Sequence, residues 1–241
     1  MTRARVLIIS ILGTPEVMPS NPFGGCAEGS SDLEWIERRL AQVGLRDQLT
    51  LDFVDISQGD ALPTQSGYDG VVVGGSIHNA NEGNDWQHAL FDWLRDWRSN
   101  GRPLFGICGG HQHAAIALGG EVSVHPQGPF AETTALDMSE IGREHFLFER
   151  FDSAPLVHLG HFDHVTRVPD GSEVLATYED TIQALDMGGN WITVQFHPEA
   201  SPGVMIAGWD DQLPDLDKRY QPAGTGRQLF ENFFRGTGLV S

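Results

Sequence analysis

The stretch PLFGICGGHQHAAIALGG, residues 103–120, passes from an apolar run through a cysteine set among glycines into an alanine-rich run. Residues 103–107 read as a short buried strand and residues 111–118 as a helix, which leaves Cys108 on the turn between them. In Gly106-Ile-Cys108-Gly-Gly110 the glycines stand two before and two after the cysteine. That is the spacing of a nucleophile elbow, where a strand turns sharply into a helix. Such a turn lifts the thiol out of the sheet and sets it at a helix N-terminus, where free amides and the helix dipole favour a thiolate. The backbone amide of Gly109 is then placed to receive a developing oxyanion. A buried thiol with small neighbours accounts for the same residues, because free cysteine is among the most buried residue types. The segment alone leaves both readings open.

Outward from this turn, short Val- and Ile-rich runs alternate with amphipathic stretches, the pattern of a mostly parallel sheet covered by helices. Strands are expected at residues 5–11, 49–56 and 68–73, the last ending at Gly74-Gly75. Ser30-Ser31-Asp32 is expected to cap a helix whose Leu33, Ile36, Leu40 and Val43 share one face before Gly44 stops it. Asn84-Asp85 opens a second helix, and its Trp86, Leu90, Trp93, Leu94 and Trp97 are read as core packing. After Glu121 the strands shorten, at 132–137, 156–159, 173–178, 181–186 and 191–196. Turns at Pro169-Asp-Gly171 and Gly188-Gly-Asn190 separate some of them, which predicts a small antiparallel hairpin region. A final helix is expected over 225–234. With no internal repeat or long linker, residues 1–241 are read as one domain.

Bulk composition narrows the function classes. A formal charge of −18 over 241 residues argues against a nucleic-acid surface, which needs clustered Lys and Arg. The apolar run after Thr2-Arg-Ala-Arg5 is too short for a signal peptide, and no stretch approaches the roughly 18 consecutive apolar residues of a membrane span. Two cysteines, Cys26 and Cys108, do not make a disulfide framework, so the expected compartment is the cytoplasm. No Walker-type nucleotide motif is present, and no cofactor is expected.

A nucleophile needs a base. Among ten histidines, His197 stands apart because Thr193-Val-Gln-Phe-His197-Pro-Glu199 sets it just beyond a well-formed strand. There it can face the rim where Cys108 sits, with Pro198 fixing the chain so that Glu199 orients the imidazole. His158, His161 and His164 recur every third residue, but that spacing alternates faces on a strand. No cysteine or carboxylate cluster completes a metal set, and none is expected; His111 and His113 are read as packing or rim residues.

Together, Gly106-Ile-Cys108-Gly-Gly110-His-Gln112 and Gln195-Phe-His197-Pro-Glu199 resemble the class I glutamine amidotransferase family, over about Val6 to Ala200. The resemblance implies a flavodoxin-like three-layer α/β/α fold. It also implies a triad in which Cys108 attacks a glutamine side-chain amide, His197 relays the proton and Glu199 holds His197. Val71-Val-Val73-Gly74-Gly75-Ser76 is similar to the family's oxyanion strand, so Gly75 would pair with Gly109; Ser76 stands where the family often has proline. Gln112 matches a substrate-pocket residue. The segment around His161 and Asp163 resembles the part of GMP synthetase glutaminase domains that covers the substrate, with Asp163 expected to meet its amino group. Three activities remain open: a stand-alone γ-glutamyl hydrolase acting on a small molecule, a glutaminase subunit feeding ammonia to a separate synthetase, and a non-catalytic binding or regulatory member. A cysteine peptidase of related fold fits the His-Pro-Glu segment less well.

Overall fold

The computed structural model describes residues 3–151, 154–210 and 212–241; Thr2 of the N-terminal flank lies outside the described residues. The first half alternates as expected: β1 (Ala4–Ser10), α1 (Asp32–Gln42), β2 (Leu49–Asp55), β3 (Gly70–Val73), α2 (Asp85–Ser99), β4 (Leu104–Ile107) and α3 (Gly109–Ala117). The second half carries β5 (Glu121–Val124), β6 (Phe130–Ala135), β7 (Asp137–Met138), α4 (Glu140–Glu144), β8 (Leu156–His161) and β9 (Asp163–Arg167). It continues with β10 (Glu173–Tyr178), β11 (Thr181–Asp186), β12 (Trp191–Val194), α5 (Pro202–Trp209), α6 (Leu216–Arg219) and α7 (Thr225–Gly236).

Eight strands form one sheet in the order β2-β1-β3-β4-β12-β11-β10-β7. The run from β2 to β12 is parallel and the remaining three pairings are antiparallel. This is the expected flavodoxin-like α/β/α arrangement, and its antiparallel part mostly extends the main sheet. Two small sheets, β5 with β9 and β6 with β8, sit apart from it.

Apolar residues on both sides of each central strand explain the layering. Val6 and Ile8 of β1 join Val72, Phe105 and Val194 against α1 and α7, where Phe105 stacks on Phe233 with ring centroids 4.7 Å apart. Leu7 and Ile9 join Val71, Val73 and Trp191 against α2 and α3. A strand covered on both faces must be apolar throughout, which is why these runs show no alternation. Trp93 and Trp97 are buried and stacked in the second core, as expected, while Trp86 is only partly buried.

A third apolar cluster, Leu12, Phe23, Trp35, Val204, Met205 and Trp209, lies between the β1–α1 connection, α1 and α5. Helix α5 has no counterpart in the sequence reading because Pro202–Trp209 contains no polar side chain, so no amphipathic face marks it. Its start is encoded locally: Pro202 occupies the first turn and the Ser201 side chain accepts from the Val204 amide.

Both glycines that open the elbow lie at the C-terminal edge of the parallel strands, where open α/β sheets bind their ligands. Helix α7 buttresses that edge, since a Cβ on Gly226 would stand 2.0 Å from the carbonyl oxygen of Pro198. Gly226→Ala is therefore expected to lower stability by about 1–3 kcal/mol through overpacking against rigid backbone. Thermal unfolding checks this, and an unchanged midpoint would contradict the close approach.

Candidate active site

Strand β4 ends at Ile107 and α3 starts at Gly109, leaving Cys108 alone on the turn with φ 48° and ψ −100°. A side chain other than glycine rarely takes a positive φ, and this conformation stores strain. The surroundings hold it there. The Cys108 amide donates to Val194 O at 2.8 Å, and the Gly110 amide donates to Gly74 O at 2.9 Å. A Cβ on Gly110 would meet Val73 O at 2.3 Å, and one on Gly109 would meet the Ser76 amide nitrogen at 2.7 Å. The glycines are thus required by how closely α3 approaches the end of β3. Helix α3 begins two residues earlier than the sequence pattern suggests, so its N-terminus abuts Cys108 directly.

His197 lies three residues past β12, its amide donating to His158 O at 2.9 Å. Its Nδ1 is 2.7 Å from Glu199 Oε1. Burial opposes charge on the ring, but the Glu199 carboxylate, and Cys108 beside it, hold His197 well above the usual histidine range. Gly75 closes the third side: a Cβ there would lie 3.2 Å from His197 Cε1 and 3.9 Å from Cys108 Cβ. Among the described residues, neither the Gly75 nor the Gly109 amide donates to a protein acceptor. The five residues expected to act together are therefore brought together.

The other expected site residues are also at the cleft, with different freedom. Gln112 Nε2 donates to Asp163 O at 2.9 Å and to Gln195 Oε1 at 3.1 Å, and Gln195 Nε2 in turn donates to Cys108 Sγ at 3.6 Å. Gln112 is thus a strut joining Asp163 to the sulfur through Gln195, a residue to which the sequence reading assigns no role. Asp163 Oδ1 accepts from Asn79 Nδ2 at 2.9 Å; burial, then the nearby Glu82 charge, pushes its carboxyl up. An ammonium group on a ligand would offset that. His161 borders the cleft, but its Nδ1 pairs with Asp163 O at 3.0 Å and its Nε2 lies 3.3 Å from Gln183. Its ring fastens the β8–β9 bend. Ser76 lines the cleft and its Oγ accepts from the His78 amide.

The three evenly spaced histidines diverge. His158 pairs with Thr133 Oγ1, His161 with the groups just named, and His164 packs on the His125 ring. His111 pairs with Thr193 Oγ1 and His113 stacks on Phe91, both buried.

Asp32 is a site residue that sequence reasoning missed. It stands one residue inside α1, where a carboxylate ordinarily faces the helix N-terminus. Here Ser31 supplies the cap and Asp32 turns inward to line the cleft. Ser10 Oγ donates to its Oδ1 at 2.7 Å, while Oδ2 and Glu199 Oε2 are both buried without a partner among the described residues. Burial pushes the Asp32 carboxyl up to about 7 against the Ser10 bond, and the charges of Asp55 and Glu199 add to the rise. The folded pKa lies above the ordinary 3.8, so the associated stability is full at low pH and is lost as pH rises through about 7. Asp32→Asn removes that dependence. Its unfolding free energy relative to wild type is expected to rise between about pH 4 and 8, and a flat difference in denaturant titrations would contradict a buried, proton-holding Asp32.

These groups share a cleft of about 500 Å³. Comparison with known proteins gives it a context. Residues 28–207 match the model of the family described as glutamine amidotransferase class-I. The chain is 34% identical over 155 residues to a gamma-glutamyl-L-1-hydroxyisopropylamide hydrolase of Pseudomonas sp, covering 59% of this chain and 49% of that protein. It is 33% identical over 139 residues to a glutamine-hydrolyzing GMP synthase subunit of Ignicoccus hospitalis, covering 57% of this chain and 70% of that one. The chain thus spans about half the length of the Pseudomonas hydrolase. A glutamine amidotransferase structure from Thermotoga maritima superposes over 100% of both chains with a TM-score of 0.76 at 21% identity, a likeness of fold. The chain belongs to the class I glutamine amidotransferase family.

Proposed function

We propose that this protein hydrolyses a γ-glutamyl amide through a thioester on Cys108. The observation that carries the reading is the convergence of the strained Cys108, the Glu199-held His197 ring and two unengaged amides at one edge of the sheet.

In this mechanism Cys108 Sγ, its proton passed to the His197 ring, attacks the side-chain carbonyl carbon of the glutamyl group. The carbonyl electrons move onto oxygen, where the Gly75 and Gly109 N–H groups receive the charge. His197, kept protonated by Glu199, gives its proton to the departing nitrogen as the C–N bond breaks. The amine or ammonia leaves a γ-glutamyl thioester. A water then attacks that carbonyl, His197 takes the proton, and the C–S bond breaks to release glutamate and restore the sulfur. Asp163, needing a cation, receives the substrate's α-ammonium. Gln112 and Gln195 keep sulfur and Asp163 in register.

The Pseudomonas relative, named for hydrolysis of a γ-glutamyl amide, supports the hydrolase reading. A second reading, ammonia supply to a separate synthetase, is favoured by the Ignicoccus relative, which is named for one part of a GMP synthase. Both use the same thioester.

Cys108→Ala is expected to lower glutamate release by on the order of 10⁴-fold or more with the unfolding midpoint preserved. A glutamine-like diazo ketone is expected to add one label, at Cys108. Undiminished turnover in the variant, or labelling elsewhere, would remove the nucleophile assignment. Glu199→Gln is expected to reduce kcat/KM by about 10²–10⁴-fold. It is also expected to move the alkaline limb of the pH profile to lower pH, since the Glu199 charge is the foremost of the contributions that raise His197. An unshifted limb would detach Glu199 from that role.

A further inference from the structure

The cleft does not end at the glutamyl site. Beyond His197 it continues into a chamber walled by the third apolar cluster, and its geometry relative to the ring is fixed. A Cβ on Gly160 would lie 3.5 Å from His197 Cδ2, 2.4 Å from Met205 Cε and 3.3 Å from Trp209 Nε1. Met205 and Trp209 therefore flank the ring proposed to protonate the departing nitrogen. A substituent on that nitrogen would have both side chains within reach.

From there the wall is aromatic. The rings of Trp209 and Phe162 are 5.1 Å apart, Gly208 packs on Phe23, and Phe23 meets Trp35 edge-on at 4.8 Å. At the mouth, Val17, Ile77 and Phe162 are large apolar side chains left 46%, 49% and 43% exposed. Three exposed apolar residues rimming one cleft mark a binding surface rather than scattered surface chemistry.

Charge narrows the occupant further. The ionised or ionisable acids lining the cleft are Asp32, Asp163, Glu199 and Asp210, and no Lys or Arg lines it among the described residues. An amine bearing a carboxylate, as in a γ-glutamyl amino acid or peptide, would bring an unpaired anion among acids. Discrimination of that kind comes from repulsion as much as from attraction. An amine with a second ammonium would find acids and aromatic faces for its charge but would leave the apolar walls largely uncovered, which makes it the competing occupant.

Resting on the hydrolase reading above, we propose that the leaving amine is hydrophobic and carboxylate-free, an aryl-alkyl or branched-alkyl primary amine, held between α5 and the β1–α1 connection. Trp209, Met205 and Phe162 determine this specificity.

The test is a comparison of kcat/KM for wild type on five substrates: γ-glutamyl-phenethylamide, glutamine, γ-glutamylglycine, γ-glutamylglutamate and γ-glutamyl-(4-aminobutyl)amide. The phenethylamide is expected to exceed γ-glutamylglycine by roughly 10²-fold, the effect of burying one aromatic group. In Phe162→Ala, a change at a half-exposed position, the ratio of phenethylamide to glutamine turnover is expected to fall about ten-fold, mainly through KM. Preference for glutamine, for a carboxylate-bearing amine or for the 4-aminobutyl compound overturns the proposal while leaving the thioester reading intact, as does an unchanged ratio in the variant. Failure of all five together with no diazo ketone label on Cys108 overturns both.

Discussion

The site depends on the distance between the end of β3 and the start of α3. With Gly110 against Val73 O and Gly109 against the Ser76 amide, there is no space for any Cβ, and the chain turns out of β4 in a single residue. Cys108 absorbs that turn with a positive φ. Three consequences follow from one close approach. The sulfur stands on the turn past the end of β4, the first amide of α3 is the next one along the chain, and Gly75 lies close to both Cys108 and His197. Strain of this kind persists only where packing over-determines it, and here the Cys108 and Gly110 amides are tied to β12 and to Gly74.

Charge around the site is organised from behind. Arg39 of α1 donates through Nη2 to the carbonyl oxygens of Glu199 and Ala200 at 3.1 and 3.2 Å, pinning the segment that carries the Glu199 side chain. Burial lowers the Arg39 pKa, and the Glu199 charge works against that. Glu199 faces His197 on one oxygen and leaves the other without a partner among the described residues, and Asp32 does the same beyond Ser10. Burial is the main cause of the elevated proton affinity of Asp32, and the charges of Asp55 and then Glu199 add to it.

Much of this is readable in the chain itself, for identifiable reasons. The elbow announces itself because only glycine fits where helix and strand backbones touch, and the central strands do so because burial on both faces leaves them wholly apolar. His197 and Glu199 are legible because they follow a strand end at short, fixed spacing. What is not legible depends on tertiary contacts with no local trace. Asp32 has the residue type of a first-turn helix acid, and only the fold turns it inward to Ser10. Gln195 acts through a bond to a sulfur 87 residues away. Strand β9 follows β8 after one residue, Phe162, and the sequence reading, which ends its strand at residue 159, has no counterpart for it. Helix α5, apolar on every side, carries no periodic signal, and with it the walls of the amine chamber stay hidden.

The central claim is that the acyl group is carried on Cys108. Acid-quenching wild-type protein during turnover of a γ-glutamyl amide, followed by peptide mass analysis, tests it most directly. A mass increase of one glutamyl group on the peptide containing Cys108, absent after hydroxylamine treatment, is expected. Turnover proceeding with that peptide unmodified, or with the glutamyl group on another residue, would contradict it.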